Sequence, residues 1–311
     1  MARIHFIVNP QRPSIGLRWP LEENRIASVT KDFRVHITRG RLHAEILARQ
    51  AVEEGCELLV SVGGDSTLSE IANGLYRSSL GGHPTPLLTL HPELHAGDAA
   101  KSIPLRKSFV DFLKSYLSGE ASTEAIDLVE IHYTGNYGQR VRRVFLNCAG
   151  FGFSSLLINL LSQDYRYART RWNFMRMIAR RVPFYKHPTI SMKVDGSEVL
   201  HQTAVLTGLI HNGRYGAHGI DLSSPSSPFD GVLESSVIMK TFGYRYILGI
   251  FPLFAGLLPR TSFVRRFSGK EFEILPGDQF QQKVRVDFDG DCWGYLPARM
   301  KILPQALRLV R

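Results

Sequence analysis

The sequence predicts an α/β domain followed by an all-β domain. Three observations carry that prediction. Strand-like and helix-like segments alternate over roughly the first 125 residues, as a parallel sheet covered by helices requires. Strand-like segments separated by turns dominate the remainder, the pattern of a β-sandwich-like domain or distorted barrel. The length, 311 residues, exceeds the ~250–300 residues at which single cores stop growing.

Residues 3–9 read as the first strand, closed by Asn9-Pro10. Residues 33–38 alternate in polarity and form a second. Residues 42–54 read as a helix with Ala44, Leu47, Ala48, Ala51 and Val52 on one face, stopped by Gly55 as a C′ glycine. Residues 57–62 form a buried strand, followed by a glycine turn and a helix over 67–76. Residues 87–91 and 109–117 supply a further strand and helix. Beyond residue 124 strands are expected at 125–133, 141–148, 189–194, 199–210, 232–239, 272–275 and 284–288, with helical inserts at 156–181 and 244–258. The predicted domains are 1–125 and 126–297.

Composition narrows the function classes. Hydrophobic residues make up 44% and aromatics 10%, which excludes disorder as the main state. Cys56, Cys148 and Cys292 stand far apart with no CxxC, which excludes a disulfide scaffold and a four-cysteine zinc site and suits a cytoplasmic protein. The apolar stretch at 4–8 reads as a strand, not an export signal. The greasy run 246–259 is interrupted by Gly249, Pro252 and Gly256. It falls short of the ~20 residues that span a bilayer.

Charge is distributed unevenly. Residues 1–127 hold 14 Lys+Arg against 15 Asp+Glu, and residues 128–311 hold 24 against 13. The densest stretch contains Arg166, Arg169, Arg171, Arg176, Arg180, Arg181, Lys186 and Lys193, with no acid and with Trp172, Phe174, Met175, Phe184 and Tyr185 interleaved. A solvated helix face is one reading. Adsorption to an anionic surface is the other, each cation near such a leaflet contributing about 1 kcal/mol. No zinc finger, RNP1-like strand or basic heptad region is present, so nucleic acid is not the expected partner.

Gly63-Gly64-Asp65-Ser66-Thr67 lies between a buried strand and a helix. Glycines there let backbone N–H groups approach a phosphate, and the helix dipole favours the anion. Asp65 could orient Mg2+ or a hydroxyl, while Ser66 and Thr67 could cap the helix. A plain strand-to-helix turn explains the same residues equally well. There is no GxxxxGK[ST], GxGxxG or HExxH segment, so P-loop, Rossmann and zincin chemistry lack their entry signals.

Gly63-Gly64-Asp65-Ser66-Thr67 followed by Leu68, Glu70 and Asn73-Gly74-Leu75 resembles the GGDGTxxEVxNGL signature of the diacylglycerol kinase/sphingosine kinase family of soluble lipid kinases. Asn9-Pro10, Thr38-Arg39 with His43-Ala44, Phe145-Leu146-Asn147 with Gly150-Phe151-Gly152-Phe153, Asn212-Gly213-Arg214-Tyr215-Gly216, Pro225, Asp230-Gly231 with Leu233, and Asp289-Gly290-Asp291 resemble further family segments, in family order over nearly the whole chain. NAD kinases share the glycine turn, but the T-x-x-G-S-T-A-Y loop expected of them is missing.

The resemblance implies a nucleotide-binding α/β domain and a β-rich lipid domain flanking a cleft, with the C-terminal segment 298–311 returning to the first. It implies ATP on Gly63, Gly64, Asp65, Ser66 and Thr67, with Asn9 and Thr38 near the phosphates and Mg2+ as cofactor. Asp289 would be the general base toward a lipid hydroxyl, assisted by Asp65 and Asp291. A second, structural Mg2+ would sit on Asp230 with backbone carbonyls near Ser227 and Val232. Phosphoryl transfer depends mainly on alignment and charge neutralisation, which such a set supplies. Without the resemblance, Asp289-Gly290 and Asp230-Gly231 read as turns.

Three departures stand out. Ser66 replaces a glycine, which would cost about 1 kcal/mol if φ there were positive. The loop Pro92-Glu93-Leu94-His95-Ala96-Gly97-Asp98-Ala99-Ala100-Lys101 replaces P-x-G-T-G-N-D-x-A-R, and there His95 could serve as base or phosphate ligand. Asp291 replaces glutamate. The expected function is an ATP- and Mg2+-dependent lipid kinase acting peripherally at an anionic membrane surface. The alternatives are a catalytically weak lipid- or nucleotide-binding relative and an NAD kinase-like phosphotransferase.

Overall fold

A computed structural model describes residues 3–11, 13–95, 97–103, 105, 108–163, 171–216, 219–222, 226–241, 261–278 and 283–311. The expected helix 244–258, the greasy run 246–259, Arg166, Arg169, Ala96 and Pro225 lie outside the described residues, as do the side chains of Arg171, Phe174 and Met175. The chain divides into two compact units, Met1–Leu128 with Pro304–Arg311, and Val129–Leu303.

The first unit contains β1 (Ile4–Val8), α1 (Pro13–Ala27), β2 (Phe33–Ile37), α2 (His43–Glu53), β3 (Leu58–Val62), α3 (Asp65–Leu80), β4 (Leu87–Leu90), α4 (Ala99–Ser102) and α5 (Phe109–Leu117). β1 pairs in parallel with β2 and with β3, aligning Ile4 with Phe33 and with Leu58. β3 pairs in parallel with β4. The last strand of the chain, Asp291–Val310, adds its end beside β4 through Leu309 and Leu88. The carboxyl ends of β1 to β4 therefore share one edge, and Asn9, Thr38, Gly63 and His91 follow it directly.

β1 and β3 are buried on both faces, which explains their continuous apolar runs. One face packs Ile4, Phe6, Val8, Val60 and Val62 against Trp19 and Ile26 of α1 and Phe109, Phe112 and Leu113 of α5. Full burial of such a side chain contributes about 1.5–3 kcal/mol. α2 and α3 pack closely on each other because Gly74 has no side chain. A Cβ there would stand 2.5 Å from the Glu45 carbonyl oxygen and 2.8 Å from Ala48 Cβ.

The second unit is antiparallel. It holds β5 (Thr123–Thr134, entering from the first unit), β6 (Arg140–Phe145), β7 (Cys148–Gly152), α6 (Phe153–Gln163), α7 (Arg171–Arg181), β8 (Thr189–Val194), β9 (Ser197–His211), the short pair β10 (Tyr215–Gly216) and β11 (Ile220–Asp221), β12 (Leu233–Met239), β13 (Val264–Gly269), β14 (Glu271–Pro276), β15 (Arg285–Phe288) and the start of β16 (Asp291–Val310). The central order is β13-β12-β9-β7-β15-β16, while β8 and β14 pair with each other and with β9 and β16 respectively. Alternate side chains from these strands, including Phe145, Phe151, Ile210, Val237, Phe272 and Phe288, form one apolar cluster. α6 and α7 share a second cluster built on Phe153, Leu157, Met177 and Ile178.

Several expectations need correction. α1 was not anticipated, nor was β13. The expected strand 141–148 is two strands, broken at Leu146-Asn147. α3 begins at Asp65, two residues earlier than expected, because the extended residue Gly64 is its N-cap. The helical insert expected at 156–181 is helical over Phe153–Gln163 and Arg171–Arg181, and residues 164–170 lie outside the described ones. The three cysteines are free thiols. Among the described residues no helix is long and apolar enough to cross a membrane.

Candidate functional site

In the first unit the resembling segments converge at the carboxyl edge of the parallel strands. Asn9 Nδ2 donates to Thr67 Oγ1 at 3.0 Å, tying the end of β1 to the first turn of α3. The amides of Asn9 and Thr38 continue the ladder, donating to Val62 O and Val8 O. Gly63 is required by close approach, since a Cβ there would stand 2.5 Å from Thr67 Oγ1. No side chain caps α3, so Ser66 and Thr67 do not play the capping role expected of them. The hydroxyl of Thr67 is held by Asn9 instead. Ser66 lies within the helix and is not among the positive-φ residues, so the strain anticipated there does not arise. The first-turn N–H groups of α3 point out of the helix end with the positive pole of its dipole.

Asp65 faces the second loop. Its Oδ2 accepts from the Asp98 amide at 2.7 Å, and its Oδ1 from the Ala99 amide at 3.1 Å and from His95 Nε2 at 3.3 Å. Asp65 therefore caps α4 from a distance. Burial alone would push its carboxyl up, but His95 and the two amides outweigh burial and hold it below the usual range. Gly97 makes room for this contact, since a Cβ there would stand 2.0 Å from Asp65 Oδ1. The glycine duty of the loop thus falls to Gly97. Leu94 is instead a core residue, 4% exposed. The His95 side chain is shut off from solvent, so its partner is Asp65 and not an open site for base or phosphate.

Glu70, on the next turn of α3, does for α2 what Asp65 does for α4. It accepts from the amides of Leu42 at 2.7 Å and Ala44 at 3.1 Å. Leu42 takes φ 65° to present that amide. This role was not anticipated, and its partner lies 26–28 residues away in sequence.

In the second unit three resembling segments meet at one turn. Asp289 and Gly290 link β15 to β16 with φ of 46° and 86°, the geometry of a tight Asp-Gly hairpin. The Asp289 carboxylate is 4% exposed and accepts three consecutive amides, Leu146 (2.9 Å), Asn147 (3.0 Å) and Cys148 (3.1 Å). The break between β6 and β7 turns those amides toward it. From the other side, Asn212 Nδ2 donates to Leu146 O at 2.9 Å, Asn147 Nδ2 to Tyr215 O at 3.0 Å, and the Asn212 amide to Asn147 O at 2.8 Å. Asp291 follows, partly buried, paired in register with Phe288.

Asp287, two residues earlier, was not assigned a role. Its Oδ1 accepts from Ser155 Oγ at 2.6 Å and Ser154 Oγ at 3.0 Å. Burial pushes its carboxyl up to about 6, the serine hydroxyls opposing. Asp230 is exposed and accepts from the Val232 amide at 3.0 Å, while its own amide donates to Ser227 O at 3.3 Å. Asp230, Ser227 and Val232 thus share one turn. The structure brings Asn9, Gly63, Asp65, Thr67 and His95 together in the first unit, and Asp289 and Asp291 together in the second.

The diacylglycerol kinase catalytic domain matches residues 3–131, and the YegS C-terminal NAD kinase beta sandwich-like domain matches residues 149–311, more than half of the chain. The sequence finds no match among curated proteins. Among solved structures it is similar to a candidate diacylglycerol kinase from Bacillus anthracis str. Sterne (TM-score 0.72, 18% identity, covering 99% of this chain and 97% of that one). A second structure described as a diacylglycerol kinase from the same source aligns with TM-score 0.65 and 16% identity, covering 99% and 96%. Yeast NADH kinase complexed with NADH aligns at 0.52 and 14%, covering 99% and 82%. At these identities the structures share a fold, whereas the two domain matches are specific: the chain belongs to the diacylglycerol kinase/YegS-type family of lipid kinases.

Proposed function

We propose that the chain transfers the γ-phosphoryl group of ATP to a hydroxyl of a diacylglycerol-like lipid at a membrane surface. The observation that carries this reading is the amino end of α3. It is uncapped by any side chain, it follows the carboxyl end of a buried parallel strand, and it is braced by Asn9 and Gly63. Such an end receives phosphate through its amides.

Mg2+ fits the donors present. It binds through one or two carboxylates together with water and substrate phosphates, so Asp291 suffices without a cluster of acids. When bound it neutralises charge on the transferring phosphoryl group. The chain's own groups do the rest. The α3 amides hold the donor phosphates, and Asp65 fixes the second loop through Asp98 and Ala99. Asp289 is positioned by three amides and accepts the hydroxyl proton late, as a loose transition state permits. Exposed Trp172 and Phe184 alongside exposed Arg176, Arg180 and Arg181 support docking on an anionic bilayer.

A second reading, a binding protein with little activity, is favoured by one observation: both Asp65 oxygens are already engaged. Incubation with γ-labelled ATP and total lipid extract, with NAD, or with no acceptor separates the readings. Labelled lipid that disappears in Asp289→Asn is expected. ATP binding without labelled lipid favours the binding protein, and labelled NAD refutes the lipid assignment.

A further inference from the structure

Below the carboxyl end of β4 in the first unit, three side chains that the kinase reading does not use converge. His91 is the first residue after β4, Glu93 follows two residues later, and Glu22 comes from α1. One donor atom of each lies within 4.8 Å of the others. His91 is fully buried, its ring stacked on Phe109 with centroids 4.3 Å apart. Its Nδ1 makes no hydrogen bond. His91 Nε2 and Glu22 Oε1 form a loose pair at 3.4 Å that holds the Glu22 carboxyl below its usual range, while His91 Nδ1 stays unpartnered in an interior where an unpaired polar group is costly.

The cation now beside these carboxylates is Arg25. Glu22 uses its other oxygen for Arg25 Nη1 at 2.7 Å. Glu93 uses Oε2 for the Phe109 amide at 3.4 Å, and its Oε1 lies 3.8 Å from Arg25 Nη1. Arg25 is half exposed and can swing into solvent. With Arg25 turned away, two carboxylates and one imidazole remain, one donor atom of each within 4.8 Å of the others. We propose that Glu22, His91 and Glu93 bind a divalent transition-metal ion of the zinc or manganese class. An imidazole donor beside two carboxylates selects against calcium and magnesium, which prefer oxygen ligands alone.

Such an ion would fix the loop that holds Asp65. The His91 carbonyl accepts the amides of Leu94 (3.2 Å) and His95 (2.8 Å), and His95 contacts Asp65. Ligation of His91 and Glu93 would therefore pin the start of the turn whose end caps on Asp65. A second group among the described residues, His5, His36 and Glu54, is more fully paired. His36 Nε2 pairs with His5 Nδ1 at 3.1 Å, and Glu54 is engaged by Arg34 and Gln50.

Chelator-stripped full-length protein titrated with Co2+ tests the site by visible absorption, independently of any kinase activity. One equivalent of coloured Co2+, displaced by Zn2+, is expected. His91→Gln and Glu93→Gln should weaken binding by more than about tenfold. Arg25→Gln should tighten it by removing the competing cation, and His36→Gln should leave it unchanged. If His91→Gln fails to fold by near-UV circular dichroism, the partly exposed Glu93 and Arg25 variants decide. No saturable uptake, uptake that survives the Glu93 change, or uptake lost in His36→Gln overturns the proposal.

Discussion

The Asp65 turn and the Asp289 turn meet the same need with different neighbours. Each places a carboxylate from one chain segment against backbone amides of another. Asp65 satisfies the first amides of a one-turn helix and takes a third contact from His95. Asp289 accepts from three consecutive amides between two strands. The first turn thus ties two amides and an imidazole to one carboxylate, the second three amides in a row. Family-like residues act here as braces that fix loops before any chemistry begins.

The comparison can be broken by deletion. Asp289→Ala strands three amides, two of them in buried bonds, each costing about 1–3 kcal/mol, so the loss should reach about 3 kcal/mol or more in urea unfolding. Asp65→Ala strands two amides beside a short helix and should cost about 2 kcal/mol. Equal losses, or a larger loss at Asp65, would contradict the ranking.

A third carboxylate sharpens the contrast. Asp287 is buried among serine hydroxyls, and its carboxyl is pushed up to about 6. Because this folded value lies above the unfolded one, near ~4, the folded state binds the extra proton between them. Stability should therefore fall as pH rises from about 4 to about 6, by about 2–3 kcal/mol, and then level off. Asp65 has the opposite sign. Its lowered carboxyl contributes stability that is complete above the unfolded value and lost as pH falls through the folded one. Asp287→Asn keeps an acceptor for Ser154 and Ser155 and should flatten the profile between pH 4 and 6. An unchanged slope in that variant would remove Asp287 as the cause.

Local elements were legible where apolar spacing and punctuation agree. The bounds of α5 and β8 match the sequence reading at both ends, because each is a short apolar pattern between polar or proline-containing turns. α1 was hidden by its own surface. Leu17 and Leu21 are largely exposed while Glu22 is buried, and Pro20 sits inside the helix, so the inward stripe of Ile15, Trp19 and Ile26 does not stand out. β13 carries two arginines in six residues and lacks an apolar face of strand length. The 141–148 run reads as one strand, yet its break at Leu146-Asn147 creates the amides that hold Asp289. Nothing local reports that break, since the carboxylate comes from 141–143 residues away. The caps by Glu70 and Asp65 are remote in the same way, and Gly97 declares its purpose only once Asp65 is seen beside it. Resemblance located these residues, while packing revealed what most of them hold.

The most direct measurement is a crystal structure of the full chain with Mg2+ and a non-hydrolysable ATP analogue. Phosphate oxygens within hydrogen-bond distance of the first-turn amides of α3, with Asp65 still capping α4, are expected. A nucleotide bound elsewhere, or an α3 amino end that stays empty at saturating analogue, would contradict the account.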